Sequence, residues 1–426
     1  MTKATPPAQA DKAHRKRQSK REALLAGAAT LFNARGIAGT SLADVAEAVG
    51  LTRAAVYYYV NDRAELVFQC YSKACDLTAD DLATASPEAN GLARILAFVR
   101  CAFAPERPQV AVLSDINALG EPLASLVRVA DDRNTAALIG FVREGVADGS
   151  VRGCDCEVVA QSLIGIINFA RLSPLWGGGA SRTYRIHLRD AVLALAEHGV
   201  AAGPVAFDCP LDADAFLPER FNAFDRKRAS ALREDQLLAQ ASRRFNRDGI
   251  EATSIDEIAG EIGATKGAVY HYVKDKPDLV IRCYERAFDI YERIGAAGRD
   301  HGRSGLERGL LITHLFTQAI LGPVSPLMAQ PGLDDLPEDR RQAFRNRAVG
   351  MNKLSARFLR EGLADGSCRR CDPTNTTHVF AGTFGWLPKW VREDDPRPPR
   401  QFADEICSLL ASGLAASPPK PDQEHP

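Results

Sequence analysis

Two short runs of the chain combine a basic residue, a small residue and aromatic residues at helical spacing. In the first run, Arg53, Ala54, Tyr57 and Tyr58 would share the outer face of a helix over residues 53–60. A basic side chain on such a face can bond guanine O6 and N7, and a tyrosine hydroxyl can bond phosphate. The combination therefore favours a helix that enters the major groove of DNA. The second run carries the same combination in Lys266, Gly267, Tyr270 and His271.

The residues around each run predict the elements that would position it. Thr40 or Ser41 can cap a helix over residues 42–49, Gly50 permits a tight turn, and Thr52 can cap the outward-facing helix. Apolar residues at helical spacing would fix the angle between the two helices. The pattern is typical of a helix-turn-helix. The second run repeats it with Thr253 or Ser254, Gly263 and Thr265.

Both runs lie within a long internal repeat. Residues 24–71 and 237–284 align without a gap at a constant separation of 213 positions. Residues 141–155 and 358–372 match again at a separation of 217 positions. Because these matches lie far apart along the chain, the repeat covers whole domains and not a short motif. The sequence therefore predicts a tandem duplication of one folding unit.

Helical periodicity runs through both copies, and strict alternation of apolar and polar residues is scarce, so the predicted fold class is all-α. A segment rich in Pro and Asp separates the copies, and polar segments lie at both ends. The predicted division has a basic disordered arm (1–19), a helix-turn-helix domain (20–66), a helical ligand-binding and dimerisation domain (67–203), a linker (204–220), a second helix-turn-helix domain (221–279), a second helical domain (280–415) and a disordered tail (416–426).

The composition limits the class of protein. Hydrophobic residues make up 46% of the 426 residues, charged residues make up 25%, and the net charge is −1. A DNA-binding surface must therefore be a local basic patch. No secretory signal or apolar run of membrane-spanning length is visible, and ten scattered cysteines are typical of a reduced compartment. A cytoplasmic location is predicted.

The sequence carries no common catalytic motif. It has no G-x-S-x-G, no P-loop, no G-x-G-x-x-G following a strand and no H-E-x-x-H. An enzyme is therefore not expected, and neither is a cofactor.

Residues 40–66 and 253–279 both resemble the DNA-binding domain of the TetR/AcrR family of transcription regulators. The resemblance implies a three-helix DNA-binding domain followed by a larger helical domain that binds a ligand and forms dimers. It also implies a ligand-released repressor that acts as a dimer. With two fused copies, we expect an intramolecular pseudo-dimer, with a further homodimer left open. The family's four-helix interface would use residues 158–172 and 184–198 against 376–387 and 401–414.

The resemblance also assigns roles to residues. Arg53 and Lys266 fall at the base-contacting position, while Tyr57 and Tyr270 match a tyrosine that binds phosphate. Tyr59 and Tyr272 stand where the family often has a phosphate-binding histidine. Cap residues can also donate to phosphates. The predicted DNA-contacting residues are Thr40, Ser41, Thr52, Arg53, Ala54, Tyr57, Tyr58, Tyr59, Arg63, Thr253, Ser254, Thr265, Lys266, Gly267, Tyr270, His271, Tyr272 and Lys276.

The two predicted DNA-reading faces differ, which predicts an imperfect palindromic operator. Its half-sites would lie about one helical turn, roughly 10 bp, apart or a multiple of that. The alternative is a one-headed ligand-binding or interaction protein in which one helix-turn-helix no longer binds DNA.

A ligand pocket is expected in each helical domain, for an unknown small-molecule effector. Residues 384–406 resemble family members that sense acyl thioesters, which favours a hydrophobic or acyl-thioester-like ligand. Packing in the core or at the interface is the more common role of these residue types. The candidate lining residues are Phe103, Asn168, Phe169 and Trp176 in the first copy, and Phe316, His378, Phe384 and Trp390 in the second.

Four cysteines in matching loops, Cys154, Cys156, Cys368 and Cys371, raise the question of metal binding. A structural zinc site needs about four ligands at suitable spacing, and no second pair lies at finger spacing. No metal site is expected. Redox sensing by Cys368 and Cys371 is the alternative.

Overall fold

The computed structural model describes residues 7–172, 181–218, 226–328 and 336–416. Within these ranges no β-strand forms, and β pairing is limited to two isolated bridges. The all-α prediction is confirmed. No helix in the described ranges has the length and apolar character needed to cross a membrane.

Unit one consists of a head, α1–α3, and a body, α4–α8. Side-chain caps fix several helix starts, and glycines with positive φ end others, as at Gly36 and Gly149. The helices are α1 (Pro7–Arg35), α2 (Leu42–Ala48), α3 (Arg53–Val56), α4 (Arg63–Ala85), α5 (Gly91–Ala102), α6 (Leu123–Asp148), α7 (Cys156–Leu172) and α8 (Arg182–His198).

Unit two repeats this order with one additional short helix. Its head is α9–α11 and its body is α12–α17. The helices are α9 (Arg226–Asp248), α10 (Ile255–Glu261), α11 (Lys266–Tyr270), α12 (Lys276–His301), α13 (Gly305–Leu321), α14 (Glu338–Ala364), α15 (Pro373–Gly385), α16 (Leu387–Trp390) and α17 (Pro399–Ser412).

The heads have separate hydrophobic cores, whereas the two bodies share one. In head one, Leu24, Phe32, Val45, Val56 and Leu66 are buried together. Head two buries the equivalent residues Leu237, Phe245, Ile258, Val269 and Leu279.

A single apolar cluster crosses between the two bodies. It contains Leu163 and Val192 of unit one together with Val379, Phe402 and Ile406 of unit two. Burial of apolar surface contributes about 25 cal/mol per Å², so separating the bodies would expose a large unfavourable surface. The predicted four-helix interface forms, with α7 and α8 packed against α15 and α17.

Backbone hydrogen bonds between the units are reciprocal. The Val200 N–H donates to Leu410 O at 2.9 Å, and the Leu414 N–H donates to Ala196 O at 2.8 Å. Because Val200 corresponds to Leu414 and Ala196 to Leu410 in the repeat, these two bonds are related by a local twofold axis. Two further pairs of bonds follow the same symmetry. The Ala201 N–H donates to Ala411 O, as the Ala415 N–H donates to Glu197 O. The Arg152 N–H donates to Leu414 O, as the Arg369 N–H donates to Val200 O.

Two glycines allow α7 and α15 to cross closely. A Cβ atom at Gly165 would lie 2.6 Å from the carbonyl oxygen of Gly382, and a Cβ atom at Gly382 would lie 2.6 Å from Ile166 Cα. These distances are far below a van der Waals contact, so any side chain would force the backbones apart. The two glycines therefore set the distance between the units.

Residues 7–19 correct one sequence-based expectation. The predicted disordered basic arm is wrong for this segment, which forms the first turns of α1. The physical reason is local composition, because Pro7 stands at the first helical position and Ala, Lys, Arg and Gln follow without a helix breaker.

Part of the predicted linker is packed against body two. Cys209 and Ala213 are buried, and the side-chain amide of Gln318 donates to Leu211 O at 3.3 Å. A 3-10 turn, Ala213–Phe216, follows. The described linker residues are therefore part of the folded body.

Replacing Gly382 with valine tests the close crossing. Gly382→Val is expected to lower the free energy of unfolding by about 1–3 kcal/mol, because the added side chain meets the α7 backbone. Gly140→Ala is the matched control, since Gly140 lies in helix α6 with open space around its Cα. That change should raise stability by about 0.5–1 kcal/mol. Urea unfolding followed by circular dichroism measures both, and equal stabilities would contradict the proposed role of the crossing.

Candidate DNA interface

Local hydrogen bonds build the helix-turn-helix of head one. The Asp44 N–H donates to Ser41 Oγ at 3.2 Å, and the Ser41 N–H donates to the Asp44 carboxylate at 2.7 Å. These bonds form a capping box at the start of α2. Thr52 caps α3 by accepting from the Ala55 N–H at 3.2 Å, and Gly50 turns with φ of 65°. The short α3 is thereby fixed at its first turn.

Head two has the same construction at matched positions. Ser254 and Glu257 form the capping box of α10, with the Ser254 N–H donating to Glu257 at 2.8 Å. Thr265 accepts from the Ala268 N–H at 3.2 Å, and Gly263 turns with φ of 63°. The predicted caps therefore form in both heads, at Ser41, Thr52, Ser254 and Thr265.

The helices that carry the predicted base contacts, here called the reading helices, are shorter than predicted. Helix α3 ends at Val56, whereas the sequence predicts a helix over residues 53–60, and the matching helix α11 ends at Tyr270. A tighter turn follows each, as the Tyr59 N–H bonds to Val56 O at 2.8 Å. The following aromatic residues therefore lie on a turn and not on a straight helical face.

The reading face of head one is exposed. Arg53 and Ala54 lie at the surface, and the side chains of Tyr57 and Tyr58 are 46% and 64% exposed. The guanidinium of Arg17, on α1, lies 4.7 Å from the centre of the Tyr58 ring. This contact links the basic segment of α1 to the reading face through a cation–π interaction.

The reading face of head two is exposed but electrostatically different. Tyr270 is 44% exposed, and Gly267 and His271 also lie at the surface. The ammonium of Lys266 is 2.8 Å from the carboxylate of Asp256, which raises the pKa of the lysine. Sequence reasoning missed this ion pair. Comparison of the two copies could have indicated it, because the position of Asp256 in the second copy is occupied by Ala43 in the first.

Two predicted phosphate contacts are wrong. Thr40 and Thr253 are buried, and each hydroxyl donates at 2.8 Å to the carbonyl four residues earlier. Their hydroxyl groups therefore close the loop before the helix-turn-helix and do not face solvent.

The remaining predicted residues lie near the reading helices with mixed exposure. Tyr59 and Tyr272 are half-buried against the head cores. Arg63 and Lys276 each donate to a backbone carbonyl of their own head, Ala38 O at 3.2 Å for the first and Glu251 O at 3.2 Å for the second. These contacts place two cations at the start of α4 and α12, beside the reading helices.

Each head is fixed to its own body by an asparagine at the end of its first helix. The side chain of Asn33 donates to Val110 O at 2.9 Å and accepts from the Val112 N–H at 2.8 Å. A buried side chain that pairs with both backbone groups ties the loop to the helix. In unit two, Asn246 makes the same two bonds with Pro326 O and the Met328 N–H.

Head two has a further attachment through a lysine that sequence reasoning missed. Lys389 donates to Ser114 O of unit one at 2.6 Å and to Arg247 O of head two at 3.1 Å. Burial lowers the pKa of Lys389 to about 8, opposed by nearby carboxylates. Burial raises the pKa of Asp115 to about 6, opposed by Lys389. Since Lys389 corresponds to Leu172 in the repeat, head one lacks the equivalent lysine.

Some of the predicted pocket residues line a different cavity from the one predicted for them. A cavity of about 130 Å³ in body two is lined by Phe316 and Phe384, whose rings stack at 5.0 Å, and also by Phe169 of unit one. A cavity of about 590 Å³ in body one is lined by Asn168 and also by Trp390 of unit two. The assignment of Phe169 to the pocket of unit one and of Trp390 to the pocket of unit two is therefore wrong. Because α7 packs against α15, each residue reaches across the interface into the other cavity.

The other three predicted pocket residues are Phe103, His378 and Trp176. Phe103 lines a smaller cavity of about 210 Å³ in unit one. The assignment of His378 to a pocket is wrong, because it lies in the four-helix interface with its Nδ1 2.7 Å from the Tyr184 hydroxyl. Trp176 lies outside the described residues.

The cysteines are free thiols. Burial raises the pKa of Cys154 and of Cys368 to about 12, and it also raises the pKa of Cys371. A raised thiol pKa disfavours the thiolate that redox and metal chemistry require. In the part of the chain that the structure describes, no group of three or more His, Cys, Asp or Glu side chains comes together to hold a metal ion.

Comparison with known proteins finds one family in both copies. The model for bacterial regulatory proteins of the tetR family matches residues 24–70 and again residues 237–283. The model for a tetracyclin repressor-like C-terminal domain matches residues 327–414.

Individual relatives match one part of the chain. The HTH-type transcriptional repressor KstR2 of Mycolicibacterium smegmatis is 27% identical over 44% of this chain and 93% of its own length. The HTH-type transcriptional regulator TtgR of Pseudomonas putida is 44% identical over 16% of this chain and 32% of its own length. The solved structure of KstR2 from Mycobacterium tuberculosis has a TM-score of 0.38 at 19% identity, covering 47% of this chain and 98% of that chain.

Lys389→Met tests the attachment of head two through its dependence on pH. In the unfolded chain the amine keeps its proton up to about pH 10.4, whereas the folded protein loses it near pH 8. Between these values the unfolded state binds more protons, so the stability of the wild type rises with pH. The methionine variant lacks this contribution. The difference in unfolding free energy, wild type minus variant, should therefore rise by about 1–3 kcal/mol between pH 7 and pH 10. A difference that stays constant in chemical denaturation across this range would contradict the assignment.

Proposed function

Because the chain is a tandem member of the TetR family, we propose that it regulates transcription by binding one DNA operator with both heads. The two units take the place of the two subunits of a dimer. Covalent fusion makes the second DNA contact intramolecular, so binding does not depend on a dimerisation equilibrium.

The observation that supports this proposal most is the reciprocal bonding between the bodies. Val200 bonds to Leu410 while Leu414 bonds to Ala196, which is the pattern of an interface with a twofold axis. Asn33 and Asn246 join each head to its body through equivalent bonds. Heads attached in the same way to bodies related by a twofold axis suit an operator with two inverted half-sites.

We propose that the two half-sites of this operator differ in base sequence. Arg53 corresponds to Lys266, and an arginine can bond guanine with two parallel donors where a lysine offers a point charge. Tyr58 corresponds to His271. The operator is therefore an imperfect palindrome, with half-site centres about one helical turn, roughly 10 bp, apart or a multiple of it.

The exposed residues of each head take two roles. Arg53 and Lys266 contact bases, with Ala54 and Gly267 leaving room for the groove floor. The tyrosines, the exposed caps and the basic residues Arg63 and Lys276 hold phosphates and set the register. We further propose that the protein is a repressor that a small molecule releases from DNA, as a ligand in a body shifts the junction that holds the head.

Substitution of the two base-contacting residues tests whether both heads bind. Arg53→Ala and Lys266→Ala should each weaken binding by roughly tenfold to 100-fold, because each removes donors to a base edge. The double variant should lose about the product of the two effects, since the sites are independent. Gel shift on a fragment selected from random DNA measures these losses. Selection of a single isolated half-site as the full optimum would overturn two-headed binding.

A one-headed protein is the second candidate, and the ion pair between Lys266 and Asp256 favours it. A lysine held by a carboxylate at 2.8 Å must give up that bond to reach a base. If head two does bind DNA, its affinity is held back by this carboxylate.

Removal of Asp256 distinguishes the two candidates. Asp256→Ala should tighten operator binding by roughly twofold to fivefold at low salt, and the gain should shrink as salt screens the charges. Ala43→Asp, which places a carboxylate at the equivalent position of head one, should weaken binding by a similar factor. If neither Asp256→Ala nor Lys266→Ala changes the affinity while Arg53→Ala abolishes it, the protein is one-headed.

A further inference from the structure

Three arginines of unit one meet where two cavities adjoin. The larger cavity, of about 590 Å³, and the smaller one, of about 210 Å³, are both lined by Arg107 and Arg171. Arg185 lines the smaller cavity as well. The larger cavity has an apolar wall that includes Phe98, Leu138 and Ile164, and the rest of its lining includes carboxylates, among them Asp131 and Asp132. A cluster of arginines therefore adjoins a chamber that has an apolar wall and an acidic wall.

The positive charge of the three arginines is only partly balanced by the protein. Asp81 pairs with one nitrogen of Arg107, whose side chain is only 8% exposed. Nε and Nη2 of Arg107, and Nε of Arg185, are buried without a hydrogen-bond partner among the described residues. Arg171 reaches Asn168 Oδ1 only at 3.4 Å. Buried donors without acceptors are unfavourable, and a bound oxyanion would satisfy them.

The pKa of Arg171 is lowered to about 9, first by burial and then by the charge of Arg107. Both causes disfavour a second cation beside Arg107. The negative charge of a bound anion would oppose the effect of Arg107 on the pKa of Arg171 and would offset the cost of burying its guanidinium.

The cluster is specific to unit one. In the repeat, Asp81 corresponds to Ile294, Arg171 to Pro388 and Arg185 to Pro399. The cavity of unit two is instead lined by aromatic residues such as Phe288 and Phe316. The arginines are therefore not a requirement of the shared fold, because unit two forms the same helices without them.

The cluster lies beside the junction between body one and head one. The smaller cavity is also lined by Thr30, Asn33 and Ala34 of α1. Asn33 holds the backbone of Val110 and Val112, in the same loop that carries Arg107. A ligand that pulls on Arg107 would therefore act on the loop that fixes head one.

We propose that unit one binds an amphipathic organic anion, whose carboxylate or phosphate group is held by Arg107, Arg171 and Arg185 and whose apolar part lies along the apolar wall of the larger cavity. Unit two does not share this specificity. The binding itself stands on the geometry of unit one, and only its effect on DNA rests on the proposed function.

Calorimetry on the full-length protein without DNA tests the binding. The probes are decanoate, decyl phosphate and the uncharged decan-1-ol. One or both anions should bind with a stoichiometry of one per chain and at least about tenfold more tightly than the alcohol, because charge-assisted bonds supply the difference. The tighter of the two anions identifies the head group. Equal binding of the alcohol, or no binding of either anion, would overturn the proposal.

Charge-removing variants locate the site. Arg171→Met and Arg185→Met keep the apolar stem and should each weaken binding of the anion by about tenfold or more. Arg100→Met is the matched control, since Arg100 is an exposed residue of α5 in the same unit, and it should leave binding unchanged. Circular dichroism establishes that each variant is folded. Anion binding that survives both cavity variants, or that is lost equally in the control, would refute the site.

A gel shift then separates this proposal from the proposed function. Anion binding that weakens the operator complex supports both. Anion binding with an unchanged operator complex leaves the site standing and overturns its regulatory effect. If the protein binds no DNA at all, the proposed function fails, while the calorimetry still decides the anion site.

Discussion

The structure depends on the contact between α7 and α15, where Gly165 and Gly382 let two backbones meet without side chains between them. This contact brings the apolar faces of four helices together and creates one core for both bodies. Neither unit can leave that core without exposing it to water, so the arrangement is stable inside a single chain. The reciprocal backbone bonds around Gly199 and Gly413 then fix the angle, and through it the relation between the two heads.

Because the two symmetry-related bodies have different sequences, a contact can form in one unit and be absent from the other, which identical subunits of a homodimer do not allow. Lys389 joins head two to unit one, and the position that corresponds to it in unit one is Leu172. Arg397 of unit two bonds to Asp155 of unit one at 3.1 Å, and the position that corresponds to Arg397 in unit one is Thr183. In a homodimer each such contact would occur twice. The fused chain can attach its two heads with different stability, and among the described residues head two has the additional attachment through Lys389.

Much of this fold could be predicted from the sequence because it is locally determined. The caps at Ser41 and Ser254 and the turns at Gly50 and Gly263 depend on residues within four positions, and the repeat places them twice. What depends on tertiary contact could not be predicted. Thr40 has the right type and place for a phosphate contact but turns inward to Gly36. Phe169 and Trp390 cross to the other unit, and Lys389 pairs with carbonyls that are distant in sequence.

The same reasoning explains why the two cavities can differ in chemistry. In a homodimer, an arginine cluster would be present in both subunits, and its cost in unpaired buried donors would be incurred twice. After duplication, each body keeps the apolar residues that the common core requires, such as Leu163 and Val379, while the residues facing its cavity are free to change. Unit one has cations beside the junction of head one, whereas the cavity of unit two is lined by aromatic rings. Under the proposed function, a ligand of unit one would meet head one through the smaller cavity and head two through Arg247 and Asp248 of the larger one. Because different residues would connect the ligand to each head, the two half-sites of the proposed operator would respond unequally.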